Sequence, residues 1–484
     1  MMWAYSSWMR ILAGWTIVSI VRAVPSTNFD PRSWAAHEII QRDVVIIGGG
    51  STGTYSAIGL RDLNKSVVVV EKENRLGGAT QTYIDPKTQD PIDIGVVVFE
   101  NLDIVKNYFA RFNIPLTTAS FSSPGAVTEY VNFRTGEVAS NFTPTDPSAA
   151  LAAYGAQAAK YPYLEAGFDL PYPVPDDLLL AFGDFVKKYN LQCAVQFIFS
   201  FAQGLGDLLA QPTIYVLKNF GLSLLEDLQT GFLTTAHHDN SELYEKARAE
   251  LGPDALLSSK VLATERGDSG VKVVVATPAG PKLILAGKMV LSIPPKLRNL
   301  AGFDLDHSEH SLFAQFGNSA YYTGVLANTN LPDQVTLQNI DLNTQYNIPV
   351  LPGIYSVAPS GVPGLFNVKV GAATAIGIQG ARDIIFDSFR ALHTHAHAHA
   401  HTHTSSSSSN STYYPAANPS LAVFESHTPF ELTVPAAAIA GGFYKQLYAL
   451  QGHRSTFYTG AAFHTHNSAL LWQFTQALLP SFAS

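Results

Sequence analysis

Asp43-Val44-Val45-Ile46-Ile47-Gly48-Gly49-Gly50-Ser51-Thr52-Gly53 is the stretch whose reading decides the fold. The five residues before Gly48 form a short continuous apolar run, as expected of a central parallel strand covered on both faces. Gly48 permits a tight turn, Gly50 lets backbone approach a pyrophosphate, and Gly53 lets the following helix pack closely on the strand. That helix carries Tyr55, Ile58, Gly59 and Leu63 at helical spacing, and its free N–H groups suit phosphate. Val67-Val68-Val69-Val70 is a second buried strand, closed by Glu71, whose carboxylate suits the ribose hydroxyls of a dinucleotide. Strand, turn, helix and strand fit within about 30 residues, the context that makes a glycine pattern informative.

Outward from this unit the pattern changes. Ile104, Val105, Tyr108 and Phe112 lie on one face of a predicted helix after Asp103. Pro175-Asp176-Asp177 starts another, with Leu178, Leu179, Phe182, Phe185 and Val186 facing inward. Apolar helical segments continue through Gln192–Phe201 and Leu222–Leu225, and Ser241–Leu251 is a further helix. Strands return at Val271–Val275, at Lys282–Leu285 after a Pro-Ala-Gly turn, and at Lys288–Ser292. Ser455–Gly460 is a strand ending in glycine, and a final helix starts near Asn467-Ser468.

The 484 residues suit more than one domain, and 46% hydrophobic against 14% charged residues supports a large core. The net charge of −8, with no basic stripe, argues against nucleic acid as a partner. Cys193 is the single cysteine, which excludes an internal disulfide and a multi-cysteine metal or iron–sulfur site. Six of the fifteen histidines alternate with Ala and Thr in residues 393–403, followed by a serine run. The run is read as a low-complexity surface loop over 393–412 rather than a metal site, because nothing in the sequence orients the imidazoles.

Residues 1–24 carry an apolar run, Ile11–Val21, with Arg10 ahead of it, too short for the ~20 residues of a bilayer span. A signal peptide, and so the secretory pathway, is the preferred reading; a short anchor and a buried helix are the others. Sequons at Asn64, Asn141 and Asn410 are compatible with a glycoprotein. No stable membrane span is expected.

Glu71-Lys72-Glu73-Asn74-Arg75-Leu76-Gly77-Gly78 resembles the flavin-containing amine oxidase superfamily, and Asp93-Ile94-Gly95 resembles its next motif, near the flavin ring. Lys260-Val261, Ser292-Ile293-Pro294-Pro295 and Tyr458-Thr459-Gly460-Ala461-Ala462 look like its later FAD-binding pieces. Within the superfamily, Gly48–Gly53, Gln451-Gly452-His453-Arg454, the Tyr458–Phe463 segment and Leu470-Leu471-Trp472 look closest to the fungal β-cyclopiazonate dehydrogenase family. The resemblance implies an α/β protein: a Rossmann-like FAD-binding domain with an interleaved α+β substrate domain, the amine-oxidase fold. The FAD domain would comprise residues 42–103, 241–300 and 441–484, and the substrate domain 104–240, helical, and 301–440.

FAD contacts are implied at Gly48, Gly50, Ser51, Thr52, Gly53, Glu71, Arg75, Gly77, Gly78, Val261, Gly460, Ala461, Phe463 and His466. The family implies oxidation of a small natural-product or amine-like substrate by hydride transfer to FAD, in secondary metabolism, with molecular oxygen as an acceptor. A desaturase-like dehydrogenase of a lipid and a non-catalytic FAD-binding protein are the alternatives. Many amine oxidases carry a lysine on the strand matching Asn318–Thr323; none stands there, which puts the standard amine-oxidase mechanism in doubt. Cys193 lies in the helical segment, so FAD is expected to bind non-covalently. Tyr321, Tyr322 and His427 are the candidate catalytic residues, with His464 and Arg454 as weaker candidates. Strand alternation allows only one of the two tyrosines to face the site.

Overall fold

A computed structural model describes residues 28–120, 125–402 and 415–484, with no account of the side chains of 399–402. The signal-peptide segment 1–24 and the Asn410 sequon lie outside the described residues. Among the described residues no helix is long and apolar enough to cross a membrane.

The strand Ile39–Ile47 is the middle of a seven-stranded sheet. It runs parallel to Val67–Val70 on one side and to Gly280–Leu291 on the other, with Val45 opposite Val68 and Met289. Covered on both faces, these strands carry the uninterrupted Val and Ile runs that such burial selects. Gly280–Leu291 is one twelve-residue strand, where the sequence suggested two. Its first half pairs antiparallel with Gly270–Thr277; its last residues pair parallel with Thr456–Tyr458 from the far end of the chain. The junction falls at Ala286-Gly287, where a Cβ on Gly287 would lie only 3.2 Å from the Asp43 carbonyl oxygen. The closing helix Ser468–Ala483 packs on the nucleotide helix Ser51–Asp62 so closely that a Cβ on Gly59 would meet Leu479 at 2.5 Å. Trp472, fully buried, anchors that contact among Tyr55, Phe99 and Tyr108.

A second seven-stranded sheet runs in the order Ser420–Ser426, Gly317–Ala327, Leu365–Ala372, Gly353–Pro359, Val335–Asn339, Val127–Val131, with Phe430–Thr433 pairing beside Gly317. Helices including Phe182–Tyr189, Val195–Phe201 and Thr213–Asn219 form a lobe whose core is Tyr154, Phe182, Phe185, Tyr215 and Phe220. The segment 104–240 is therefore not purely helical: Val127–Val131 leaves it to pair in parallel with Val335–Asn339, a long-range pairing that its short Val-Thr-Glu-Tyr-Val alternation did not announce.

The histidine run is the clearest correction. Residues 393–402 are not loop but the last turns of a helix, Gly377–Thr402. Ala381, Ile385, Phe389 and Leu392 form its buried stripe against Tyr322, Val368 and Val370. Once that stripe has nucleated the helix, alanine propagates it at little cost.

Candidate active site

Chain turns at the carboxyl ends of the first sheet make the nucleotide end. Gly48, at φ 100°, donates its N–H to the Val70 carbonyl at 2.9 Å. A Cβ on Gly53 would lie 1.9 Å from the Gly48 carbonyl oxygen, so only glycine allows the helix to start here. Glu71 is buried and already bound: Gly49 N–H donates to it at 2.6 Å and Glu73 N–H at 2.8 Å. It fixes the turn and keeps further lone pairs for a ribose. Ser258 and Ser259 donate to the Glu73 and Glu71 carbonyls, which brings the start of the Val261 strand beside Glu71.

Arg75 spends its guanidinium on its own loop, donating to the Thr80 carbonyl at 2.9 Å and the Gly78 carbonyl at 2.7 Å. It shapes the turn in which Gly77 and Gly78 take φ 106° and 55°. A Cβ on Gly78 would press to 3.0 Å from the Gly50 Cα, whereas one on Gly50 would find nothing nearer than 3.8 Å. The backbone is thus open above Gly50. Beside it the hydroxyls of Ser51, Thr80 and Tyr244 gather, buried and without a well-formed hydrogen-bond partner. Orphan hydroxyls around an open glycine cradle at a helix N-terminus fit a diphosphate. The end of the chain returns to this point. A Cβ on Gly460 would lie 3.2 Å from the Ser292 carbonyl oxygen and 3.8 Å from the Thr52 hydroxyl. Ala461 and Phe463 follow in a tight turn, where Tyr448 donates to the Phe463 carbonyl at 2.6 Å.

The candidate substrate wall is one face of the second sheet. Tyr321 and Tyr322 part company as alternation requires. Tyr322 points away, stacked on Phe424 in the core under the long helix, and is withdrawn as a site residue. Tyr321 faces the helical lobe and donates to the Gln203 side chain at 2.8 Å. His427 sits beside it: its N–H donates to the Tyr321 carbonyl, and its Nε2 lies 2.9 Å from the Thr323 hydroxyl. Burial, with Arg75 nearby, lowers the His427 pKa to about 4. Phe430 links the two chain segments, 5.0 Å from the Tyr321 ring and stacked 3.9 Å from His466. His466 accepts from the Glu431 N–H at 3.2 Å, which puts its proton on Nδ1, and burial lowers its pKa to about 3. Both imidazoles are therefore neutral near pH 7.

Behind this wall is a polar group the sequence reading missed. Lys218 donates to the Leu164 carbonyl and to His464 Nδ1, the latter at 3.0 Å, while His464 Nε2 donates to the Glu165 carbonyl at 2.9 Å. The His464 ring thus holds a lysine. Burial lowers Lys218 to about 7 and raises the nearby Glu431 to about 7. The one available signal was a lysine inside the apolar run Thr213–Asn219. Gln203 and Glu431 gave none. Arg454, a candidate for a substrate anion, instead donates to the Asp304 and Arg266 carbonyls at 2.6 and 3.0 Å, and is structural.

Residues 46–112 match the family model described as an NAD(P)-binding Rossmann-like domain. The chain is 38% identical over 470 residues to the FAD-dependent oxidoreductase oblC of Cochliobolus heterostrophus, with 94% of each chain covered. It is 37% identical over 455 residues to the β-cyclopiazonate dehydrogenase of Aspergillus oryzae, covering 93% of this chain and 94% of the relative. Among solved structures it is similar to a CLA-producing fatty acid isomerase from P. acnes, with a TM-score of 0.71 at 18% identity over 92% of this chain and 99% of the other. Putrescine oxidase bound to putrescine gives 0.63 at 14% identity over the same shares, so the amine-oxidase fold is common to all. With the diphosphate cradle in place, these likenesses identify the chain as a member of the fungal FAD-dependent oxidoreductase family that includes β-cyclopiazonate dehydrogenase.

Proposed function

We propose that this enzyme oxidises a small natural product by hydride transfer to FAD, with the substrate held between the helical lobe and the Tyr321 face of the second sheet. The observation that carries this reading is the neutral wall made by Tyr321, Gln203, His427, Phe430 and His466. Bound FAD supplies the two-electron acceptor. The wall supplies an aromatic surface that excludes water, and a phenol and an amide that orient a polar substituent. With both histidines neutral and Tyr321 raised far above the ordinary phenol range by burial, no group on this wall titrates near pH 7. Such a wall suits a C–H donor that is already uncharged better than an ammonium.

Molecular oxygen is the proposed acceptor. Anaerobic mixing of the FAD-loaded protein with indole-type and amine compounds tests the reading. Bleaching of the flavin band, restored by air, is expected for at least one neutral compound. Flavin left oxidised by every compound would overturn it. We also propose passage through the secretory pathway, supported by the exposure of Asn64 and Asn141 in their sequons. A mass shift on endoglycosidase treatment checks that.

A further inference from the structure

Leu365-Phe366-Asn367-Val368-Lys369-Val370-Gly371-Ala372 is an inner strand of the second sheet, hydrogen-bonded on both sides. Its alternation is strict. Phe366, Val368, Val370 and Ala372 are buried in the core beneath the long helix, with Tyr322. Asn367, Lys369 and Gly371 therefore share the opposite face with Tyr321 and Thr323. The register is explicit: Gly371 lies opposite Tyr321, and Lys369 opposite Thr323, whose hydroxyl meets His427. The lysine missing from the tyrosine strand is thus supplied one strand over, on the same face.

Lys369 has an unusual setting for an ammonium. Burial lowers its pKa from the ordinary lysine value, yet the residue is only half-buried. A side chain that is deep in the fold but keeps open surface lines an internal space. No hydrogen bond or ion pair to its ammonium occurs among the described residues. The nearest acid in its row, Glu425, is opposite Thr323 on the other side, two strands away at about 10 Å. Asn367, two residues earlier on the same face, has a buried side-chain oxygen that also lacks a partner. Tyr355 lies over Gly371, where a Cβ would meet its ring at 2.3 Å, and so walls the space between Lys369 and the helical lobe. Unpaired polar groups inside a fold are costly unless something completes them.

We propose that Lys369 is the anion subsite of the substrate pocket and that the natural substrate carries a carboxylate bound there. The inference rests on the substrate lying against the Tyr321 face. It adds a charge requirement that the neutral wall around Tyr321 does not impose.

The test needs no turnover. FAD-loaded protein is titrated with benzoate and with benzamide, and binding is read from the perturbation of the oxidised flavin spectrum. Benzoate is expected to bind about tenfold more tightly than benzamide. Lys369→Met should erase the difference and Lys369→Arg should retain it, with FAD content unchanged in both and Tm not lowered by Lys369→Met. Acetylation of the wild type at pH 7, read by peptide mass spectrometry, guards against a variant that fails to fold: benzoate should protect Lys369 several-fold and benzamide should not. No preference for benzoate in the wild type, including no binding of either probe, would overturn the proposal. So would a preference that survives Lys369→Met, or acetylation indifferent to benzoate. Because the flavin stays oxidised throughout, these outcomes are separate from a failure of hydride transfer.

Discussion

The molecule buries two charged clusters, and they are finished differently. At the edge of the first sheet, Arg266 forks across Glu309 at 2.7 and 2.8 Å and also donates to Asp304 at 2.8 Å. Tyr458 donates to Glu309 as well, and Arg454 caps Asp304 from outside. Burial alone would raise both acids, but with Arg266 against them both fall below the usual carboxylate range. Every charge there has its counterion. Between the helical lobe and the closing segment, Lys218 is satisfied by carbonyls and an imidazole, and the nearby Glu431 has an oxygen with no partner. The first cluster ties Thr456–Tyr458, from the end of the chain, to the sheet that began near its start. The second is incomplete, which is the state expected of groups that meet a ligand.

The largest expected effect comes from breaking the finished cluster. Arg266→Met strands Glu309 and should cost about 3–5 kcal/mol, read as a fall in Tm and loss of retained FAD. A loss under about 1 kcal/mol would mean the network is not the clasp described here.

Glu431 tests the unfinished cluster next. Its folded pKa is raised to about 7, so the folded state holds a proton there that the unfolded chain has released. Stability therefore falls as pH rises from about 4.5 to about 7. Glu431→Gln, which stays neutral, should match the wild type at pH 5. By pH 8 it should exceed it by about 2 kcal/mol in denaturant melts. His427 and His466 act the opposite way, losing stability as pH falls from about 6.5 towards about 4 and about 3, and the variant leaves that part unchanged.

Tyr321→Phe removes one hydrogen bond and should lower kcat/KM about fivefold, about 1 kcal/mol, with FAD affinity unchanged. An unaltered kcat/KM would remove the phenol from the substrate wall. The smallest effect serves as the control. Lys187 and Asp184 form an exposed pair at 3.1 Å, and Lys187→Ala should shift stability by less than about 0.5 kcal/mol.

How far the sequence could be read followed the range of the interactions concerned. The nucleotide unit was legible because each residue of Gly48–Gly53 answers a local constraint, such as the 1.9 Å approach at Gly53. The split between Tyr321 and Tyr322 was legible as a choice of one, since alternation forces it, but which one faces the site depends on the helix covering the other side. Arg454 was misread because a lone arginine in a loop carries no mark of Asp304, its partner 150 residues away. The histidine run was misread because composition was weighed without the buried stripe that leads into it.

By itself the sequence determined the cofactor fold. Turn glycines, buried strand runs and the acid after the second strand are obligations of the backbone and are met within a few residues. Only the tertiary structure decided the chemistry of the candidate substrate wall. Lys369 stands opposite Thr323 through strand register, and Lys218 beside His464 through the docking of the helical lobe. Both are contacts between residues far apart in the chain, where local propensity carries no information and packing alone selects the neighbour.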